Sequence, residues 1–131
     1  MYNQKVLEIF KNPLNFGGLQ GSNAVAKVVD EKTKDVVKFY FKINEEQVIE
    51  EARYKTMGCV ASIVCSIVVT QLVKEKTLDQ AKNITKNDIF EVIGELDEDK
   101  LNYVDLVLNT LNATIEDYYK RKEKEEKTKN V

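Results

Sequence analysis

Residues 50–69 read EEARYKTMGCVASIVCSIVV, and this stretch decides the fold. Its first part alternates, with Ala52 and Tyr54 opposite Glu51, Arg53 and Lys55, which is the period of a half-buried strand. After Met57-Gly58-Cys59 the period changes at once. Residues 60–73 are apolar on nearly every side, as expected of a helix buried in the middle of a small domain. Their β-branched content would also suit a strand, but the length of the run and the small residues Ala61, Ser62 and Ser66 favour a helix. Cys59 is thereby delivered on a strand-to-helix turn.

Upstream, Val37, Phe39, Phe41 and Ile43 alternate with Lys38, Tyr40 and Lys42, and residues 24–30 are small and β-branched. The polar segment 31–35 fits a hairpin connection, and Val48 resumes the apolar face after Asn44-Glu45. Three sequential strands with short connections predict an antiparallel meander with one wet face. Ahead of them, Tyr2, Val6, Ile9 and Phe10 fit a short amphipathic helix stopped at Asn12-Pro13, followed by a loop rich in Asn and Gly. Downstream, Thr77 with Gln80 is a capping-box signature, Thr85 caps a second short helix, and Gly94 closes it. Leu101, Val104, Leu108, Leu111, Ile115 and Tyr118 then form one apolar stripe, predicting a long helix from about residue 99 to 119. Residues 120–131 carry mixed charge and are expected to be a disordered tail. The sum is one α+β domain over residues 1–119, a small three-stranded antiparallel sheet with helices packed on one face and a long C-terminal helix.

Composition narrows the function. The 131 residues carry a formal charge of −2, which argues against a general nucleic-acid binder because no basic excess is available to neutralise phosphates. The opening MYNQKVLEIF lacks the apolar core of a secretory leader, and the apolar run 60–69 is too short to span a bilayer. These features predict a cytoplasmic protein with free thiols and no membrane partner. Histidine is absent. Serine- or cysteine-hydrolase mechanisms that rely on it are excluded.

In order along the chain come a first helix ending in NPLNFG, a strand pair around KDVVKFYFKI, then ARYKTMGC, VKEKTLDQA and a long final helix. This series resembles the iron–sulfur cluster assembly scaffold family, the IscU type and the amino-terminal domain of NifU. The resemblance covers residues 2–119. It implies a protein that binds iron or a cluster transiently, takes sulfur from a cysteine desulfurase and passes its product to acceptor apo-proteins. Zinc is the alternative occupant in purified protein. The family holds its cluster with three cysteines, an aspartate and usually a histidine, in keeping with the thiolate ligation of such iron.

Carried over by position, the aspartate is Asp35 and the second cysteine is Cys59. The first cysteine's place is taken by Thr33, the third's by Tyr103 and the histidine's by Asn102, while residues 94–100 replace the segment read by a chaperone. The resemblance therefore implies a divergent member lacking two of three ligand cysteines, with Cys59 and Asp35 as its cofactor and metal ligands. At the start of the buried helix Cys59 would face unpaired amides that hold anions, with Lys32 or Lys34 adding positive charge. A half-buried cysteine without a role, and an ordinary hairpin aspartate, are the competing readings. Asp105 is a weaker candidate from the same end of the domain. Cys65 lies about 240° around the helix from Cys59 and reads as a core residue. Two other functions stay open: a desulfurase-binding regulator that assembles nothing, and a persulfide carrier acting through Cys59.

Overall fold

The strand alternation resolves into one antiparallel sheet of β1 (Ala24–Val29), β2 (Val36–Ile43) and β3 (Ile49–Met57), arranged in chain order. The computed structural model describes residues 2–129. The first hairpin turns on Lys34, whose φ of 66° is left-handed, and the Asp30 N–H closes it on the Asp35 carbonyl at 2.8 Å. In the second, Asn44 Oδ1 accepts the N–H groups of Glu46 (3.0 Å) and Val48 (2.9 Å), a side-chain mimic of a backbone turn.

One residue departs from the alternation. Lys42 pairs with Glu51 while Ile43 pairs with Ile49, so Glu50 is an extra residue in β3. This bulge switches side-chain parity, and Ile49 joins Ala52 and Tyr54 on the buried face. Val48, expected on that face, is only half-buried and bridges to Thr77 instead.

The helices are α1 (Gln4–Lys11), α2 (Val60–Val73), α3 (Leu78–Lys82), α4 (Lys86–Ile93) and α5 (Leu101–Lys129), the last preceded by a 3-10 turn over Glu98–Lys100. They lie on one side of the sheet. Phe39, Phe41, Ile49 and Tyr54 from the strands form a single core with Val64, Ile67 and Val68 of α2 and Val104, Leu111 and Ile115 of α5. Burying each of these large side chains stabilises the fold by about 1.5–3 kcal/mol. The hydroxyls buried in α2 are satisfied within the helix, Ser66 donating to the Ser62 carbonyl and Thr70 to the Ser66 carbonyl, both at 2.8 Å.

Caps set the short helices. Thr77 with Gln80 and Thr85 with Asp88 form complete capping boxes, and α4 ends at Gly94 with φ 76°. Asn3 caps α1 through the Val6 N–H (2.9 Å) and ties it to α4 through the Ile93 carbonyl (2.8 Å).

The disordered tail expected after residue 119 is corrected by the structure, in which α5 continues to Lys129. Lys, Arg and Glu are good helix formers and neither Gly nor Pro interrupts them. Side-chain pairs one turn apart add support: Arg121–Asp117 (3.0 Å), Lys122–Glu125 (3.5 Å) and Lys127–Glu123 (3.5 Å). The part of that expectation at positions 130 and 131 lies outside the described residues. Among the described residues no helix is long and apolar enough to cross a membrane.

Candidate functional site

Register brings the two candidate ligands together. Val36 of β2 faces Met57 of β3, so the next rung outward places Asp35 beside Gly58 and Cys59. Asp35 is only 7% exposed. Its Oδ2 accepts the Cys59 N–H (3.1 Å) and the Ser62 hydroxyl (3.2 Å), two donors from the first turn of α2. A carboxylate on unpaired helix amides is well placed, because it satisfies donors that have no partner within the helix. Gly58 makes this approach possible. A Cβ there would stand 2.6 Å from Asp35 Cγ and 2.8 Å from Ser62 Oγ, closer than any side chain tolerates.

Cys59 is the N-cap of α2 in extended geometry, and its thiol makes no cap bond. Sγ is 3.9 Å from Ser62 Oγ, and the residue is half-buried. Three further residues lie within electrostatic reach of it: Tyr103 from α5, Lys100 from the 3-10 turn, and Tyr2. Burial, then the neighbouring Cys59 thiol, push the pKa of Tyr103 up. Tyr2 is raised for the same two reasons. Lys100 is held more strongly protonated, chiefly by Tyr2 and then Asp99, with a smaller contribution from Cys59.

These neighbours differ from the sequence reading. The cation facing Cys59 is Lys100; Lys32 and Lys34 are exposed residues of the hairpin turn. Ser62, Tyr2 and Lys100 were not singled out as site residues. In sequence Tyr2 reads as part of the apolar face of a helix, and nothing in its neighbourhood marks it otherwise. Lys100 had a signal, as the sole base at the end of the acidic segment 95–99 that leads into the final helix.

Residues around the Asp35–Cys59 pair carry hydrogen bonds of their own. Thr33 Oγ1 accepts the Asp35 N–H (3.2 Å), which holds the backbone of the acid. Asn102 Nδ2 donates to Asp30 Oδ2 (3.4 Å), linking the hairpin to α5. Asp30 also accepts the Lys32 (2.9 Å) and Thr33 (3.2 Å) N–H groups, and those backbone donors, Thr33 first, lower its pKa. Asp105 turns away from the site into an ion pair with Lys86 of α4 at 2.8 Å. Cys65 is fully buried, and burial, then Cys59, pushes its thiol up to about 12.

Among the described residues no three His, Cys, Asp or Glu side chains converge. The donor set at this end of the domain is one thiol, one carboxylate and one phenol. A soft sulfur beside hard oxygens suits a single iron or zinc ion, and falls short of the four soft ligands a cluster takes.

Residues 1–125 match the family model described as the NifU-like N terminal domain. The chain is 42% identical over 118 residues to the iron-sulfur cluster assembly scaffold protein IscU of Aquifex aeolicus, covering 89% of this chain and 75% of that protein. It is 36% identical to the protein of the same name from Escherichia coli, covering 93% and 97%. Its fold is similar to the crystal structure of a putative scaffold for the SUF system from Fervidobacterium islandicum. That match has a TM-score of 0.74 at 17% identity, covering 87% of this chain and 96% of the other.

Proposed function

This chain belongs to the NifU-like N-terminal domain family, and on that premise we propose that it is an iron–sulfur cluster assembly scaffold, a carrier and not an enzyme. It works in the cytoplasm with a cysteine desulfurase and hands its cargo to acceptor apo-proteins. The observation that carries this reading is the junction of Asp35 with the α2 N-terminus, which leaves Cys59 half-buried beside a buried carboxylate.

Iron is held by Cys59 Sγ and the second oxygen of Asp35, since Oδ2 already accepts two hydrogen bonds. Sulfur arrives as a persulfide. The Cys59 thiolate attacks its terminal sulfur; a new S–S bond forms on Cys59, the desulfurase S–S bond breaks, and the desulfurase cysteine leaves as a thiolate. An external dithiol then reduces the Cys59 persulfide, releasing sulfide, becoming a disulfide and restoring the Cys59 thiol. One chain offers one thiolate, so a cluster is shared by two chains, each giving Cys59, with outside thiols completing the shell.

Anaerobic reconstitution with iron, sulfide and a desulfurase tests the reading. Visible thiolate-to-iron absorption is expected in the wild type and absent in Cys59→Ser. A colourless wild-type protein with no iron retained after desalting sinks it. A persulfide carrier acting through Cys59 alone is the second reading, favoured by a half-buried thiol that makes no cap bond at the start of α2. Mass spectrometry after desulfurase treatment then shows one added sulfur on Cys59 and no iron dependence. An unmodified thiol eliminates that reading.

A further inference from the structure

The outer face of the sheet carries a charge pattern that folding does not explain. Lys27 of β1 is paired with Lys38 of β2, and Lys38 with Lys55 of β3, so three lysines stand in one row across three strands. The next rung holds Val25, Tyr40 and Arg53, and the one after it places Lys42 opposite Glu51. Glu51 is the one acid in these rungs, and Lys74 engages it at 2.8 Å. Among the described residues, Lys27, Lys38, Lys42 and Lys55 form no ion pair.

Like charges directly opposite on neighbouring strands destabilise a sheet. Lysines on an edge strand are a known defence against edge pairing. That explains Lys27, but Lys38 is on the central strand, and the edge of β3 is covered by the backbone of Asn15 and Gly17, which bonds Tyr54 at 3.0 and 2.8 Å. Tyr40 offsets part of the repulsion, its ring lying 5.0 Å from Lys38 Nζ and 5.9 Å from Lys55 Nζ. The row is concentrated on one face of a chain whose formal charge is −2.

We propose that this lysine row is a docking surface for a protein partner that lays an acidic helix across the sheet. The spacing fits. Strands lie about 4.8 Å apart, so the outer lysines of the row are about 10 Å apart; carboxylates at positions i, i+4 and i+7 of a helix span about 10.5 Å. A duplex nucleic acid would meet the acidic remainder of the surface beyond this short footprint. The inference stands apart from the scaffold reading, since it involves neither Cys59 nor iron.

The test uses the full chain and a synthetic helical peptide with Glu at i, i+4 and i+7 of one face and Ala elsewhere. Amide shifts on titration are expected at Lys27, Lys38, Tyr40 and Lys55, with affinity falling as salt is raised. Each lysine neutralised weakens binding by up to about fivefold. Lys38→Glu is expected to abolish the shifts while raising thermal stability, because it places a carboxylate between two lysines. A merely structural row would not separate these two effects. The proposal is overturned if Lys38→Glu binds the peptide within twofold of wild type. It is also overturned if a scrambled peptide of equal composition binds as well, or if the shifts fall equally on lysines 120–127 of α5. Tighter binding of duplex DNA or anionic phospholipid vesicles than of the peptide overturns it too.

Discussion

Replacing Gly58 by alanine tests the geometry on which the site rests. Gly58 has no left-handed backbone requirement, so the substitution is judged on space alone. The added Cβ would collide with the Asp35 carboxyl group, whose Cγ is 2.6 Å away, and with Ser62 Oγ at 2.8 Å. Asp35 cannot retreat inward, because it is 7% exposed and its backbone is fixed by the hairpin bond from Asp30. It must swing toward solvent and give up the N–H of Cys59 and the hydroxyl of Ser62. Ser62 keeps a partner in the Cys59 carbonyl at 2.9 Å, so the Cys59 N–H is the group left unpaired.

A hydrogen bond to a charged acceptor is worth about 1.5–3 kcal/mol. Against that, alanine restricts the unfolded chain and returns about 0.4–1 kcal/mol. The net expectation is a loss of about 2 kcal/mol, or a melting temperature lower by about 8 °C for a domain of this size. Thermal and urea denaturation followed by circular dichroism measure it. The decisive comparison is the double-mutant cycle with Asp35→Ala. Once the carboxylate is gone, alanine at 58 meets only the Ser62 hydroxyl, and Gly58→Ala should cost little there. Equal costs in the two backgrounds, or no loss in the wild-type background, would refute the reasoning.

Iodoacetamide should modify Cys59 in the native protein and Cys65 only after denaturation, since Cys65 is fully buried; modification of both at one rate would contradict the packing. Cys65 rises from an ordinary 9.0 to about 12 on burial, so the unfolded chain loses its proton first. Stability should therefore fall by about 1.4 kcal/mol per pH unit between those values, a slope that Cys65→Ala reduces in pH-dependent urea melts. Tyr54 buries a hydroxyl without a hydrogen-bond partner among the described residues, so Tyr54→Phe should stabilise by about 1 kcal/mol; a clear destabilisation in the same melts would reveal a partner for that hydroxyl. A chain ending at Lys122 removes exposed turns of α5 and keeps Arg121 on Asp117, so helical ellipticity should drop while the melting temperature shifts by no more than a few degrees. A large drop in melting temperature would mean that the helix end packs on the domain.

The architecture was legible where period and punctuation agree. The alternation of Val37 to Ile43 gave β2, the run after Cys59 gave α2, and Thr77 with Gln80 marked a helix start that the structure builds as a full capping box. What the sequence hid were features set by more than one element. The bulge at Glu50 moved Ile49 into the core in place of Val48, because one inserted residue changes parity and leaves no mark in composition. Beyond residue 119 the sequence suggests a disordered tail where the structure has a helix. High charge without hydrophobic cover looks alike in a solvated helix and in a tail, and here spacing between opposite charges decides. Cys59 and Asp35, the two residues the resemblance points to, meet because of the strand register. The resemblance does not point to Lys100 and Tyr2, which arrive from opposite ends of the chain.

The residues around the Asp35–Cys59 pair sharpen what the proposed site can do. Thr33 braces the backbone of Asp35, Asn102 ties the hairpin to α5, and Tyr103 lies within electrostatic reach of the thiol. The Thr33 bond holds Asp35 directly and the Asn102 bond holds the hairpin that carries it, and neither adds a second sulfur. On the proposed reading the site is built around one thiol, so its chemistry passes through Cys59, whether as a ligand to iron or as the acceptor of one sulfur. On that reading a cluster takes its remaining thiolates from outside the chain.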